Sequence, residues 1–208
     1  MSFKIAILIS GRGSNMQAIH RSIQENKLKA HIAVVISNQA DAAGLNYAKE
    51  HNIPTEVLTH QAHESRESYD QRLASLIQKY FVDLIVLAGF MRILSPSFIQ
   101  AFPQKIINIH PSLLPAFPGL HVHEQAIAAG VRYSGCTVHY VDEGCDTGPI
   151  IDQRVVPVLP EDTADTLAAR ILKEEHQLYS ECIQKIAAGQ VKIENNKVIL
   201  NFNSKNSL

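Results

Sequence analysis

The sequence predicts a doubly wound α/β fold, with a mostly parallel sheet in the N-terminal half and antiparallel strands in the C-terminal half. Three observations carry that prediction. Short apolar runs alternate with amphipathic patterns through roughly the first hundred residues. Those runs are continuous rather than alternating in polarity, as strands covered on both faces are. Beyond residue 130 the strand-like runs lengthen, and a turn-rich segment joins them instead of a helix.

Taken in order, KIAILIS (4–10) reads as a strand, followed by a helix over 15–25. HIAVVIS (31–37) is a second strand, with a short helix over 43–51 and a third strand at TEVL (55–58). A helix over 65–79 leads into DLIVLAG (83–89). SPSFIQAF places Ser95 as an N-cap and Pro96 at the first helical position, where a missing N–H leaves no bond unmade. KIINIH (105–110) is the next strand, and Pro111, Pro115 and Pro118 after it exclude a regular element and shape a loop. SGCTVHYV (134–141) and PIIDQRVVPV (149–158), joined by DEGCDTG, pair most simply as antiparallel neighbours. A long helix over 163–188 stops at Gly189. VKIENNKVILNF closes as a hairpin with Asn195 and Asn196 at its turn, and the last polar residues are expected to fray. The first half thus follows a Rossmann-like order.

At 208 residues and 46% hydrophobic, the chain suits one sizeable domain rather than two. A formal net charge of -1 gives no electrostatic footprint for nucleic acid or an anionic membrane. No apolar run approaches the roughly 20 residues of a membrane span. The N-terminus enters a strand directly, so a signal peptide is not expected. Cys136, Cys145 and Cys182 lack metal-ligand spacing and suit a reducing compartment, so the expected location is cytoplasmic.

ISGRGSN (9–15) sets Gly11, Gly13, Ser14 and Asn15 between a strand and a helix, where free amides can accept an anion. A dinucleotide fingerprint fails twice. Met16 occupies the third glycine position, and the second strand ends in Ser37 and Asn38 instead of an acid for a ribose hydroxyl. A single phosphate monoester fits the loop; so does an ordinary glycine turn with a serine cap.

Asn108 and His110 flank Ile109, so on a strand their side chains share one face. Open α/β sheets bind ligands at the carboxyl ends of their strands, where Gly11–Asn15, Gly89–Arg92 and His110 all fall. The DEGCDTGP loop brings Asp146 to the same end, with Gly144 and Gly148 permitting a tight course. A carboxylate beside His110 would orient the ring and favour its charged form, and Asn108 would add a neutral donor to a developing oxyanion. The competing readings are polar groups that merely tie down the proline loop, and a metal site built from His110, His121, His123 and His139. No Cys or Glu stands at metal-ligand spacing beside them, and no metal is expected.

Glu175 interrupts an apolar stripe through Ile171, Leu172, Leu178, Tyr179 and Cys182 on the long helix. A carboxylate on a core face is costly unless paired. Its partner would be an arginine or histidine of the chain, or a ligand's ammonium.

Together these segments resemble the folate-dependent formyltransferases. ISGRGSN (9–15), SRESYD (65–70), LAGFMRILSP (87–96), NIHPSLLPAFPGLH (108–121), GCTVHYVDEGCDTGPII (135–151) and EEHQLY (174–179) carry the resemblance, in family order. The asparagine-histidine-proline run with a downstream Asp-x-Gly-Pro marks the superfamily, and the Gly-Ser-Asn loop marks its glycinamide branch. The resemblance implies formyl transfer from 10-formyltetrahydrofolate to the amine of glycinamide ribonucleotide, without a metal. It implies His110 as general acid, Asp146 as the carboxylate that tunes it, and Asn108 as the oxyanion donor. It puts the phosphate on Gly13, Ser14 and Asn15, and the substrate's glycinamide end on Glu175. It puts the folate against Arg66, Met91, Arg92, Ile93, Leu94 and a loop of Asp142, Glu143, Gly144, Cys145 and Asp146, with Thr137 and His139 lining the site.

On that reading the single domain comprises a phosphate-binding half (1–100), a catalytic and folate-binding half (101–190) and a C-terminal hairpin and tail (191–208). Its partners are small molecules, neither nucleic acid nor membrane, and the chain is a monomer or homodimer. Ala116 and Thr147 depart from the commoner family pattern without touching the chemistry. The rival readings are a formyltetrahydrofolate hydrolase and a non-catalytic nucleotide- or folate-binding module. A methionyl-tRNA formyltransferase would carry a further domain for tRNA, and a nicotinamide dehydrogenase is already weakened by Met16 and Asn38.

Overall fold

In a computed structural model describing residues 2–201, the first half runs β1 (Phe3–Ile9), α1 (Ser14–Gln24), β2 (Ala30–Ser37), α2 (Ala43–Glu50), β3 (Thr55–Val57), α3 (Arg66–Gln78), β4 (Leu84–Leu87) and α4 (Pro96–Ala101). The second half runs β5 (Ile106–His110), α5 (Val122–Ala128), β6 (Tyr133–Tyr140), β7 (Ile150–Pro157), α6 (Ala164–Ala187), β8 (Val191–Glu194) and β9 (Lys197–Leu200). Seven strands form one sheet in the order β3-β2-β1-β4-β5-β6-β7, and β8 and β9 form a separate hairpin. Strands β1 to β5 are parallel to their neighbours, whereas β5–β6 and β6–β7 are antiparallel.

The continuous apolar strands are covered on both faces, as their composition demands. Along β1, Ile5, Ile7 and Ile9 join one core cluster with residues of α1, α2 and α6. Ala6 and Leu8 join the other, with Tyr69, Leu73 and Ile77 of α3 and Phe98 of α4. Each isoleucine, leucine or phenylalanine so buried contributes about 1.5–3 kcal/mol. Side-chain caps start three helices: Ser65 accepts from the Ser68 amide, Ser95 from Phe98, and Thr163 forms a capping box with Thr166. Gly189 ends the long helix at φ 66°. The hairpin turn places Asn195 and Asn196 at φ 50° and 59°, the positive values that a two-residue turn needs. Phe202 and the frayed tail of the sequence reading lie outside the described residues.

One element was not foreseen. Helix α5 is seven residues long, and its N-cap, His121, has a left-handed φ of 57° and no side-chain cap bond. Such a helix lacks the capping side chain that marks a start, and Glu124 in its first turn is its one signal among them. None of the helices among the described residues is long and apolar enough to cross a membrane.

Candidate active site

Strand β1 lies at the switch point of the sheet. The chain goes from β1 to β2 on one side and later returns to β4 on the other, which leaves a crevice at the carboxyl ends. Gly13, the N-cap of α1, has φ 68°, a conformation glycine adopts without penalty. Its added Cβ would meet Gly44 Cα at 3.3 Å, so the turn is close-packed as well. Ser14 and Asn15 follow in the first turn of α1, whose leading amides have no partner within the helix.

Asn15 is buried, and its Nδ2 donates to Glu175 Oε2 at 2.8 Å across 160 residues of sequence. Glu175 is only 7% exposed, and burial raises its pKa above the ordinary 4.5 while the Asn15 bond pulls it partly back. The partner of the misplaced glutamate is therefore neutral, neither arginine nor histidine. One turn further along α6, Tyr179 donates from its hydroxyl to the carbonyls of Leu87 (2.8 Å) and Ile107 (3.1 Å). That pins the helix beneath β4 and β5.

Asn108 and His110 leave β5 on the same side, and β6 lies antiparallel beside them, with Asn108 opposite His139 and His110 opposite Thr137. The β6–β7 loop then turns back over this pair. Gly148 makes the turn possible, because a Cβ there would lie 1.9 Å from the Tyr140 carbonyl oxygen. Asp146 adopts φ 56°, a left-handed conformation that Asp tolerates better than most residues. Its Oδ2 lies 3.3 Å from His110 Nδ1 and accepts from the Gly119 amide at 3.0 Å. Its Oδ1 lies 3.6 Å from His139 Nε2. Burial pushes the Asp146 carboxyl up, but the His139 hydrogen bond, the Gly119 amide and the two imidazoles outweigh it and bring it down to about 2.

The imidazoles are held from behind. His110 Nε2 donates to the Phe117 carbonyl (2.9 Å), and His139 Nδ1 to the Tyr140 carbonyl (2.9 Å). Both ring nitrogens of His110 thus face oxygens that can only accept. Asn108 Nδ2 lies 3.4 Å from His139 Nε2, and at least one of its two N–H groups stays available for a third party. Thr137 is fully buried and serves the proline loop. Its hydroxyl donates to Ser112 O (2.7 Å) and accepts from the Leu114 amide (3.0 Å) and Gln153 Nε2 (2.9 Å).

The remaining predicted residues lie in the segment after β4, in the β6–β7 loop and at the start of α3. Met91 and Ile93 are 72% and 73% exposed, while Leu94 is buried. The Arg92 guanidinium stacks on the Tyr69 ring at 3.9 Å. Asp142 accepts from the Gly144 amide (3.1 Å) and from Thr147 Oγ1 (2.7 Å), so Thr147 shapes the loop. Glu143 accepts from Gln100 Nε2 at 2.9 Å. Cys145 is exposed, its thiol pushed up by burial and by Asp146. Arg66 opens α3 and meets Glu67 at 3.6 Å.

Sequence reasoning missed the groups that hold this centre from outside the strands. The Phe117 carbonyl and the Gly119 amide are backbone atoms and leave no trace in residue type. His123, in the first turn of α5, is half-buried; burial lowers its pKa, Glu124 opposes that, and His110 adds to it.

Comparisons with known proteins identify the family. The family described as Formyl transferase matches residues 3–183. Phosphoribosylglycinamide formyltransferase of Escherichia coli K12 is 46% identical over 192 residues, covering 92% of this chain and 91% of the relative. Trifunctional purine biosynthetic protein adenosine-3 of Bos taurus is 45% identical over 193 residues; the alignment takes in 93% of this chain but only 19% of that longer protein. The crystal structure of glycinamide ribonucleotide transformylase 1 from Symbiobacterium toebii superposes with a TM-score of 0.94 at 46% identity, covering 96% of this chain and 94% of that one. With its doubly wound sheet, its Asn108–His110 strand end and matches that span nearly its whole length, the chain belongs to the formyl transferase family.

Proposed function

We propose that the chain transfers the formyl group of 10-formyltetrahydrofolate to the amino group of glycinamide ribonucleotide, as a cytoplasmic enzyme of purine synthesis. The observation that carries the reading is the Asp146 carboxylate set between His110 and His139 beside Asn108, at the strand ends that also present the α1 N-terminus. The phosphate sits on the amides of Gly13, Ser14 and Asn15. The Asn15–Glu175 pair adjoins that turn and engages the same ligand beyond its phosphate, at the glycinamide end. The folate lies along Met91 to Leu94, with Arg66 and the Asp142–Asp146 loop at its margins. In this arrangement residues 1–100 supply the phosphate site, 101–190 the catalytic groups, and 191–208 a hairpin and tail.

The neutral amine attacks the formyl carbon, and the oxygen becomes negative. His110 releases the Phe117 carbonyl and donates to that oxygen, with the free N–H of Asn108 beside it. Preorganised donors of this kind are worth a few kcal/mol of barrier. Asp146 keeps His110 oriented and balances its charge. As the tetrahedral centre collapses, the bond to the folate nitrogen breaks and a proton from the amine reaches that nitrogen. The products are a formamide and tetrahydrofolate.

The test is turnover with and without the ribonucleotide. Folate release should require glycinamide ribonucleotide, and His110→Ala should lower kcat about 10²- to 10⁴-fold. Release that ignores the ribonucleotide would indicate a hydrolase. Ligand binding with no release would indicate a binding module.

A further inference from the structure

Where a dinucleotide-binding protein carries an acid at the end of its second strand, this chain carries Asn38, and the structure gives it a different task. Asn38 is 9% exposed, and its Oδ1 accepts from the Ser10 hydroxyl at 2.6 Å. The same hydroxyl accepts from the Met91 amide at 2.8 Å. Ser10's own amide donates to the Gly89 carbonyl at 3.0 Å. One side chain therefore ties together the ends of β2, β1 and β4, across the crevice of the switch point. The hydroxyl gives one bond and receives one, so the Met91–Ser10–Asn38 chain has a single direction, and each bond polarises the next.

Loops on either side of a switch point leave the sheet towards opposite faces, and nothing in the strand ladder fixes their separation beyond the last pair. Beyond β1 stands the phosphate turn at Gly13; beyond β4 stands the wall from Met91 to Leu94. We propose that Ser10 is a positioning residue that sets the distance between the two substrates, by holding the Met91 backbone against the base of the phosphate turn. This rests on the formyl-transfer reading of the site. Ser10 touches neither substrate. It fixes the spacing between the segments that do, and misplacement by an ångström is enough to slow a two-substrate reaction severely.

The experiment compares wild type, Ser10→Ala and Ser10→Thr, which keeps a hydroxyl. It measures steady-state kinetics, separate affinities for glycinamide ribonucleotide and tetrahydrofolate, thermal midpoints, and hydrogen exchange at the Met91 amide. In Ser10→Ala the Met91 amide should exchange faster and kcat should fall roughly ten- to hundredfold. Each separate affinity should stay within about threefold of wild type, and Ser10→Thr should restore turnover. An unchanged kcat in Ser10→Ala would overturn the proposal. So would affinities and thermal midpoint that fall in parallel with kcat, which would mark a merely structural bond. Wild type without ribonucleotide-dependent turnover would instead overturn the formyl-transfer reading itself, and this inference with it.

Discussion

Asp146 and Glu175 are both carboxylates drawn largely out of water, and their surroundings push them in opposite directions. Asp146, with a side chain 14% exposed, meets two imidazoles and a backbone amide and is held at about 2. Glu175 meets one neutral amide and is raised by burial. Glu175 lies deeper and has a single neutral donor, whereas Asp146 is only partly buried and has several, so burial and neighbours act in the same sense. A carboxylate ringed by cationic or donating groups is a fixed negative charge, suited to holding an imidazolium in place throughout a reaction. A carboxylate with a single amide is open to another donor, suited to a ligand that arrives with a hydroxyl or amine. In the proposed function the first serves the chemistry and the second recognition.

The largest effect should come from breaking the first site. Asp146→Asn leaves size and burial nearly unchanged but removes the charge facing both imidazoles. We expect kcat to fall by about 10² or more, with little change in ribonucleotide KM, because the orientation of the general acid is lost while the phosphate turn is untouched. A large rise in ribonucleotide KM at constant kcat would erase the distinction between the two sites. Steady-state kinetics at varied ribonucleotide concentration reads the difference directly.

Glu175→Gln should do the reverse, and more weakly. The amide oxygen can still accept from Asn15, so the fold is kept, while ribonucleotide KM should rise about tenfold through the weakened acceptor. Stability against pH sharpens the contrast. Glu175 is raised in the folded state, so the fold binds its proton more tightly than the unfolded chain does. Its contribution is full below about 4.5 and declines as pH rises through the folded value. Asp146 is depressed, so its contribution is present above the ordinary 3.8 and is lost as pH falls towards 2. Thermal midpoints of Glu175→Gln should therefore gain on wild type from about pH 4.5 upward, whereas those of Asp146→Asn should lose ground between about pH 2 and the ordinary 3.8 and stay behind by a constant margin above it.

The same contrast separates what the sequence made legible from what it did not. Strand composition and helix caps are local signals, so β1 to β7 and α6 could be read residue by residue. Asn108 and His110 were placed together by a two-residue period, which is also local. The pairing of Asn15 with Glu175 joins positions 160 residues apart, and periodicity could show only that Glu175 needed a partner. His139 was expected to line the site, but its place against Asp146 depends on the antiparallel pairing of β5 with β6 and on the left-handed turn at Asp146. Helix α5 was hidden because His121 begins it without a capping side chain. Asn38 was visible only as a departure from a dinucleotide motif and Ser10 only as the end of the first strand, since their hydrogen bonds cross three strands.

The most direct test of this division is a carboxyl-carbon NMR titration of the two residues in one sample, assigned with Asp146→Asn and Glu175→Gln. The account predicts that Asp146 titrates at about 2, well below its ordinary 3.8, and that Glu175 titrates above its ordinary 4.5. Two unshifted curves near 4, or a Glu175 that titrates below Asp146, would contradict it.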